Sequence, residues 1–455
     1  MEMVLEFLRD VLSQPALLIG IMSCIGLIAL KRPFHKVMTG TLKPILGYLM
    51  LAAGAGVIVN NLDPLGKMIE HGFHITGVVP NNEAIVAVAQ KVLGVETMSI
   101  LVVGLLMNLC IARFTKFKYV FLTGHHSLFM ACLMSAVLGT AGLSGMELIL
   151  VGGFLMGAWS AISPAIGQSY TSKVTEGDEI AIGHFGSLGY YLSAWVAKYV
   201  GKADDSTEDI EIPEKWGFLR DSTLSTALTM IVFYLIAAFA AGSEFVATLS
   251  GDMSPYLYAV MSAMNFAVGV TIVYSGVRMI LGDLIPAFQG IATKIIPNAI
   301  PAVDCAVFFT YAPTAVVLGF LSSFIGGIIG MLILGAVGGV LIIPGLVPHF
   351  FCGATAGIYG NATGGRRGAA VGAFLNGLAI TFLPALALPV LGQLGFQNTT
   401  FGDADFAVMG LVLGNAYEWV GMAGIYGIVA IAALVLIVPN FIKTKGKVIN
   451  YVEED

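Results

Sequence analysis

Charge is scarce in this chain of 455 residues: Lys, Arg, Asp and Glu together make up 11% of it, where a soluble domain carries roughly a quarter. Too few polar side chains are present to clothe a water-facing surface, which excludes an ordinary soluble fold. Cysteine is rare as well. Cys24, Cys110, Cys132, Cys305 and Cys352 stand singly in apolar stretches, a pattern that offers neither a disulfide framework nor metal-ligand spacing. Each is expected to act as a small buried hydrophobe. H-E-x-x-H is absent, so a zinc hydrolase has no sequence support. The net charge of -6 spread over this length implies no nucleic-acid partner. The apolar runs lack the apolar/polar alternation of an outer-membrane barrel. Before the first run there is no basic segment, and after it no small-residue cleavage site, so no cleavable signal peptide is expected.

What the chain has in abundance is apolar length. Hydrophobic residues make up 57% and the mean hydropathy is +0.88. That is enough for about eleven helices of the roughly 20 residues a bilayer requires. The 56 glycines suit closely packed membrane helices and the broken helices of transporters. Apolar runs lie near 15–31, 43–60, 97–112, 119–142 and 146–168, with a weaker one at 183–200. Others follow near 223–249, 255–280, 303–337, 338–352, 368–394 and 407–440. Between the two sets, the acidic stretch from Lys202 to Asp221 reads as a loop in water. The chain therefore divides into a first membrane unit (1–201), a polar cytoplasmic linker (202–222), a second unit with a last span (223–440) and a cytoplasmic tail (441–455). Basic residues cluster at Lys31, Arg32, Lys36 and Lys43, at Arg113, Lys116 and Lys118, and at Lys443, Lys445 and Lys447. The positive-inside rule puts these in the cytoplasm. An odd number of crossings follows, with the N-terminus outside and the C-terminus inside.

The two units share a pattern. Leu62-Asp63-Pro64 stands ahead of Asn82-Glu83 much as Leu284-Ile285-Pro286 stands ahead of Asp304, and Glu83 to Gly124 and Asp304 to Gly345 are both 41 residues apart. Two copies with an odd number of crossings each are inverted in the membrane, and such an arrangement places a substrate site between them at the midplane.

An ion at the centre of a membrane helix costs at least about 2.5–3.5 kcal/mol, so each ionisable group there needs a partner or a function. His125, in Thr123-Gly124-His125, and His184, in Ile182-Gly183-His184, follow a glycine; Glu83 and Asp304 follow prolines. In each case a helix is interrupted and a polar side chain opens the next one. Broken helix ends are tolerated at depth where they line a cavity. Carboxylates and imidazoles there suit a polyhydroxylated ligand, because the former accept from hydroxyls and the latter give or accept. His126 points elsewhere on a helix and is expected to be structural. His349 is expected to be a packing residue. Glu96, Glu147, Glu244 and Glu418 are expected at span ends.

Thr123-Gly124-His125, Ile182-Gly183-His184, Ala302-Val303-Asp304-Cys305-Ala306, Tyr311-Ala312-Pro313 and Ile342-Ile343-Pro344-Gly345, followed by Phe350-Phe351, resemble the ascorbate-specific EIIC permeases of the bacterial sugar phosphotransferase system. The loop at Val200-Gly201-Lys202, Glu208-Asp209 and Pro213 is similar too. The resemblance implies an all-α inner-membrane homodimer of eleven-span protomers in two inverted repeats, each protomer with a core transport domain and a V-shaped scaffold. The core moves in an elevator-like way. A separate EIIB protein, charged through EIIA, phosphorylates the incoming molecule, so this polypeptide needs no cofactor or metal and performs no covalent step. The family's ligand contacts fall on Asn82, Glu83, His125, Phe129, His184, Phe185 and Asp304. Phe129 and Phe185 replace two glutamines and Asn82-Glu83 replaces a Thr-Tyr pair, which leaves a neutral sugar or polyol beside ascorbate as the expected ligand. An ion-coupled secondary transporter, with Asp304 and Glu83 carrying the ion, is the alternative.

Overall fold

The computed structural model describes residues 11, 14–74, 77–78, 80, 82–210, 222–392 and 400–441. Its helices are α1 (Pro15–Ala29), α2 (Phe34–Gly72), α3 (Asn82–Phe114), α4 (Gly124–Thr140), α5 (Gly145–Thr175), α6 (Ser187–Val200), α7 (Ser222–Ala241), α8 (Ser243–Ser250), α9 (Pro255–Lys294), α10 (Pro313–Ala336), α11 (Leu346–Gly392), α12 (Ala404–Val420) and α13 (Met422–Ile437). Three short strands interrupt them: β1 (Tyr119–Phe121), β2 (Ala181–Ile182) and β3 (Ile300–Val303). Among the described residues seven helices are long and apolar enough to cross a bilayer, or eight when the bent pair α7 and α8 is one span. The chain is thus a multi-pass, mostly helical membrane protein.

The apolar runs do not map one to one onto helices. The run at 407–440 is two helices parted at Gly421, whose φ of 62° suits glycine. The run at 303–337 begins as strand and a 3₁₀ turn, Cys305–Thr310, before α10 starts. Within α11 the backbone leaves helical geometry at Gly364 and Gly365. The Lys202–Asp221 loop, as far as it is described, is docked rather than free. Glu208 accepts from the backbone N–H groups of Thr314 and Ala315 at the start of α10, and Thr207 is buried. Residues 211–221 and the tail beyond 441 lie outside the described residues. Cys110 is exposed, contrary to the expectation of burial.

The helices pack in two groups. α1, α2, α7 and α9 lie against one another, and α3–α6 pack with α10–α13. In the first group α2 and α9 run antiparallel with backbones touching. A Cβ on Gly47 would stand 2.8 Å from the Gly276 carbonyl oxygen, and one on Gly54 would stand 2.7 Å from that of Gly269. Gly47 and Gly54 precede Gly269 and Gly276 by 222 residues each (269 − 47 and 276 − 54). The contacts are therefore reciprocal: each glycine meets the counterpart of the other. Leu51 against Gly276 and Val273 against Gly54 follow the same rule.

In the second group the extended segments need hydrogen-bond partners that lipid cannot supply. They find them in one another. β3 is the centre of a parallel sheet in the order β1-β3-β2, with Phe121 opposite Ala302 and Ile182 opposite Val303. Buried amides close both edges. Asn108 bonds the Tyr119 carbonyl and the Phe121 N–H at 3.1 and 3.0 Å, and Gln168 bonds the Ile180 carbonyl at 3.1 Å. A fourth extended segment, Val78, pairs in parallel with Ile342. Asn108→Leu is expected to strand two buried backbone groups at about 1–3 kcal/mol each and to lower the thermal midpoint of the detergent-solubilised protein. An unchanged midpoint would contradict this role of Asn108.

Candidate functional site

Each strand delivers a polar residue as it ends. β1 runs into Thr123-Gly124-His125-His126, β2 into Gly183-His184, and β3 into Asp304. Because the strands are parallel, these ends emerge on the same side of the sheet. There they line a cavity of about 620 Å³ between the two helix groups, whose opposite wall is α2 from Tyr48 to Glu70.

Asp304 is buried and Oδ2 lies 3.3 Å from Nε2 of His125. Its other oxygen accepts the Ala306 N–H at 3.1 Å, capping the 3₁₀ turn. The Tyr48 hydroxyl reaches across from α2 to Nδ1 of His125 at 3.3 Å. Asp304 therefore has a partner that its sequence neighbourhood did not reveal. His126 does more than the expected structural duty: it lines the cavity, its ring 3.8 Å from that of His184. Phe129 lines the cavity too. Phe185 does not. Its side chain is fully buried and stacked on Phe121 at 4.6 Å, because the residue after His184 turns behind the strand. Asn82 opens α3, donates to Asp403 at 2.6 Å and accepts the Gly402 N–H at 2.9 Å. The side chain of Glu83 lies outside the described residues. His349 is buried and bonded to Ser323 at 2.9 Å, the packing role expected of it.

Sequence reasoning missed Tyr48, Tyr190, Cys352, Asp403 and Asp405. Asp403 stands just ahead of α12, with Cys352 Sγ 2.8 Å from one oxygen and the Asn82 amide on the other. Cys352 thus hydrogen-bonds as well as packs. The Tyr190 hydroxyl is 2.7 Å from Nδ1 of His184. Asp405 accepts from Ser187, from the Leu188 N–H and from Trp159, which fastens α12 to the start of α6. A signal for the two aspartates existed. The 221-residue offset from Glu83 to Asp304 (304 − 83) carries Ile182 and His184 onto Asp403 and Asp405.

Among the described residues two sets of side chains bring ligand atoms within 4.8 Å of one another, His126, His184 and Asp403, and His184, Asp304 and Cys305. Their hydrogen bonds argue against a resident cation. A metal-bound imidazole keeps its hydrogen on the other nitrogen and gives it to an acceptor. Here Nδ1 of His126 faces the Phe185 N–H at 3.3 Å, and Nδ1 of His184 faces the Gly186 N–H at 3.2 Å. What remains is a polar recess with hydrogen-bond capacity, walled by apolar side chains and suited to a small oxygen-rich molecule.

The family model described as the PTS system sugar-specific permease component, EIIC-GAT, matches residues 10–405. The chain is 28% identical over 417 residues to the ascorbate-specific PTS system EIIC component of Mycoplasma pneumoniae, an alignment that covers 78% of this chain and 62% of that protein. The chain thus spans about three fifths of the length of this curated relative.

Proposed function

The chain belongs to the family of sugar-specific permease components of the phosphotransferase system, and from that membership we propose that it binds ascorbate or a related sugar-like compound, carries it across the bacterial inner membrane and presents it to a separate EIIB for phosphorylation. The observation that carries the proposal is the cavity itself. Costly polar groups, His125, His126, His184, Asp304 and Asp403, converge on one recess between two helix groups that otherwise touch sparsely. A ligand held on the strand ends of one group moves with that group, which is the elevator reading. Each protomer of a homodimer has about eleven crossings in this account. The reciprocal glycine contacts of α2 and α9 support two inverted repeats, since a twofold axis between copies makes residue i meet j where j meets i.

The positive-inside rule favours the cytoplasm for Lys31, Arg32 and Arg113 at the basic ends of α1 and α3. The N-terminus is then outside and the C-terminus inside. α2 accordingly runs outward, so the exposed Lys67–Asp63 ion pair and Glu70 mark an outer mouth to the cavity. The conformation is open to the outside, ready to load.

Uptake by membrane vesicles tests the proposal: solute recovered inside as its phosphate, dependent on phosphoenolpyruvate and the soluble phosphotransferase proteins, is the expected result. Accumulation of unmodified solute on an ion gradient alone would falsify it in favour of ion-coupled transport. Phe129 stands where the family has an amide, and sites with matching polar groups discriminate strongly. Phe129→Gln is expected to raise ascorbate affinity relative to pentitols and hexitols by about tenfold, one hydrogen bond to a charged group. An unaltered ranking in a thermal-shift panel would remove Phe129 from selectivity. Phe185→Gln belongs to a different class, because its buried stack on Phe121 makes it a stability change.

A further inference from the structure

The geometry points to His126 as a ligand contact that works with His184 as a pair of hydrogen-bond donors, so that the ligand must offer an edge of two adjacent acceptor oxygens. This rests on the cavity being the ligand site proposed above. A backbone N–H can only donate. The Phe185 N–H meets Nδ1 of His126 and the Gly186 N–H meets Nδ1 of His184. Each Nδ1 is therefore the bare, accepting nitrogen, and each neutral ring carries its hydrogen on Nε2. The Tyr190 hydroxyl lies 2.7 Å from Nδ1 of His184 and 3.5 Å from Cys352 Sγ, and its one hydrogen serves one of the two. Gly186 makes the arrangement possible, since a Cβ there would stand 2.5 Å from the Tyr190 oxygen and 3.0 Å from Cys352 Sγ.

Among the described residues nothing bonds either Nε2, although both rings are more than nine-tenths buried and both line the cavity. The carboxylates, by contrast, are already engaged. Asp304 accepts from His125 and the Ala306 N–H, and Asp403 from Asn82 and Cys352. Among the described residues the recess thus offers two N–H donors that lack a protein partner, beside carboxylates that are already partly engaged. Donors that lack a partner in a buried recess favour acceptors, and anionic acceptors most. The enolate oxygen and the neighbouring enol oxygen of an ionised enediol form such an edge; a neutral polyol hydroxyl pair meets it less well.

Two isosteres separate this from a structural role. Gln places an amide N–H near the position of Nε2 and lacks the Nδ1 acceptor; Asn keeps a polar atom near Nδ1 and lacks the Nε2 donor. Titrating ascorbate into the full-length protein, His126→Gln is expected to stay within about threefold of the native affinity and His126→Asn to lose at least about tenfold. The reverse order, or native affinity in His126→Asn, would overturn the inference. The ¹⁵N spectrum of histidine-labelled, ligand-free protein provides a second reading. The expected result is the Nε2–H tautomer for the signals that vanish in His126→Gln and His184→Gln, and Nδ1–H there would overturn the inference whichever ligand binds. If the tautomers are as expected and no sugar-like compound binds the native protein, the proposed function fails instead.

Discussion

Asp304→Asn is expected to weaken ligand binding by about 10- to 100-fold. The carboxylate holds the imidazole of His125 at 3.3 Å and the Ala306 N–H at 3.1 Å, and hydrogen bonds to charged groups contribute about 1.5–3 kcal/mol each, at 1.4 kcal/mol per tenfold. An asparagine carbonyl can still cap the 3₁₀ turn, but its NH₂ face opposes the Nε2 hydrogen of His125. That leaves the imidazole free to swing away from Tyr48 on the facing helix. Assembly and thermal stability should change little, because one capping bond survives. Binding measured by calorimetry alongside the elution profile in detergent checks both halves of the expectation. Native affinity in the variant would remove Asp304 from the site, and an aggregated variant would make the residue a structural one.

The second large effect lies at the contact between α2 and α9. A Cβ at position 276 would sit 2.6 Å from the Gly47 carbonyl oxygen and 2.6 Å from the Leu51 N, backbone atoms that cannot rotate aside. Overpacking costs typically 1–3 kcal/mol even where side chains can adjust, so Gly276→Val is expected to cost about 3 kcal/mol or more and to abolish monodisperse protein. The reciprocal geometry adds a sharper expectation. Gly54→Ala and Gly276→Ala should lower the thermal midpoint together, as should Gly47→Ala and Gly269→Ala, since the members of each pair occupy equivalent places in the two copies. If one member were tolerated while its counterpart failed, the twofold relation would be contradicted.

The membrane class of the fold was legible because 57% apolar composition has no aqueous solution at this length. So was the family, through a set of short motifs spread along the chain. His125, His184 and Asp304 were legible as candidates because each follows a helix breaker in an apolar setting, and they do line one cavity. The strands were not. Tyr119–Phe121 and Ile300–Val303 are as apolar as the spans they join, and only tertiary pairing tells such a segment from a helix. The same limit hid the partners: Tyr48 meets His125 across 77 positions and Asn82 meets Asp403 across 321. Asp403 directly follows Gly402 as His125 and His184 follow theirs, and the offset between the two halves would have drawn in both Asp403 and Asp405. Phe185 shows the converse limit. It is adjacent in sequence to a cavity histidine, yet the chain turns and its ring joins the core.

Cryo-electron microscopy of the protein saturated with the compound giving the largest thermal shift tests the central claim most directly. Ligand density is expected between Tyr48 of α2 and the strand ends that carry His125, His126, His184 and Asp304. Density elsewhere, or these four side chains turned toward acyl chains with no ligand among them, would contradict it.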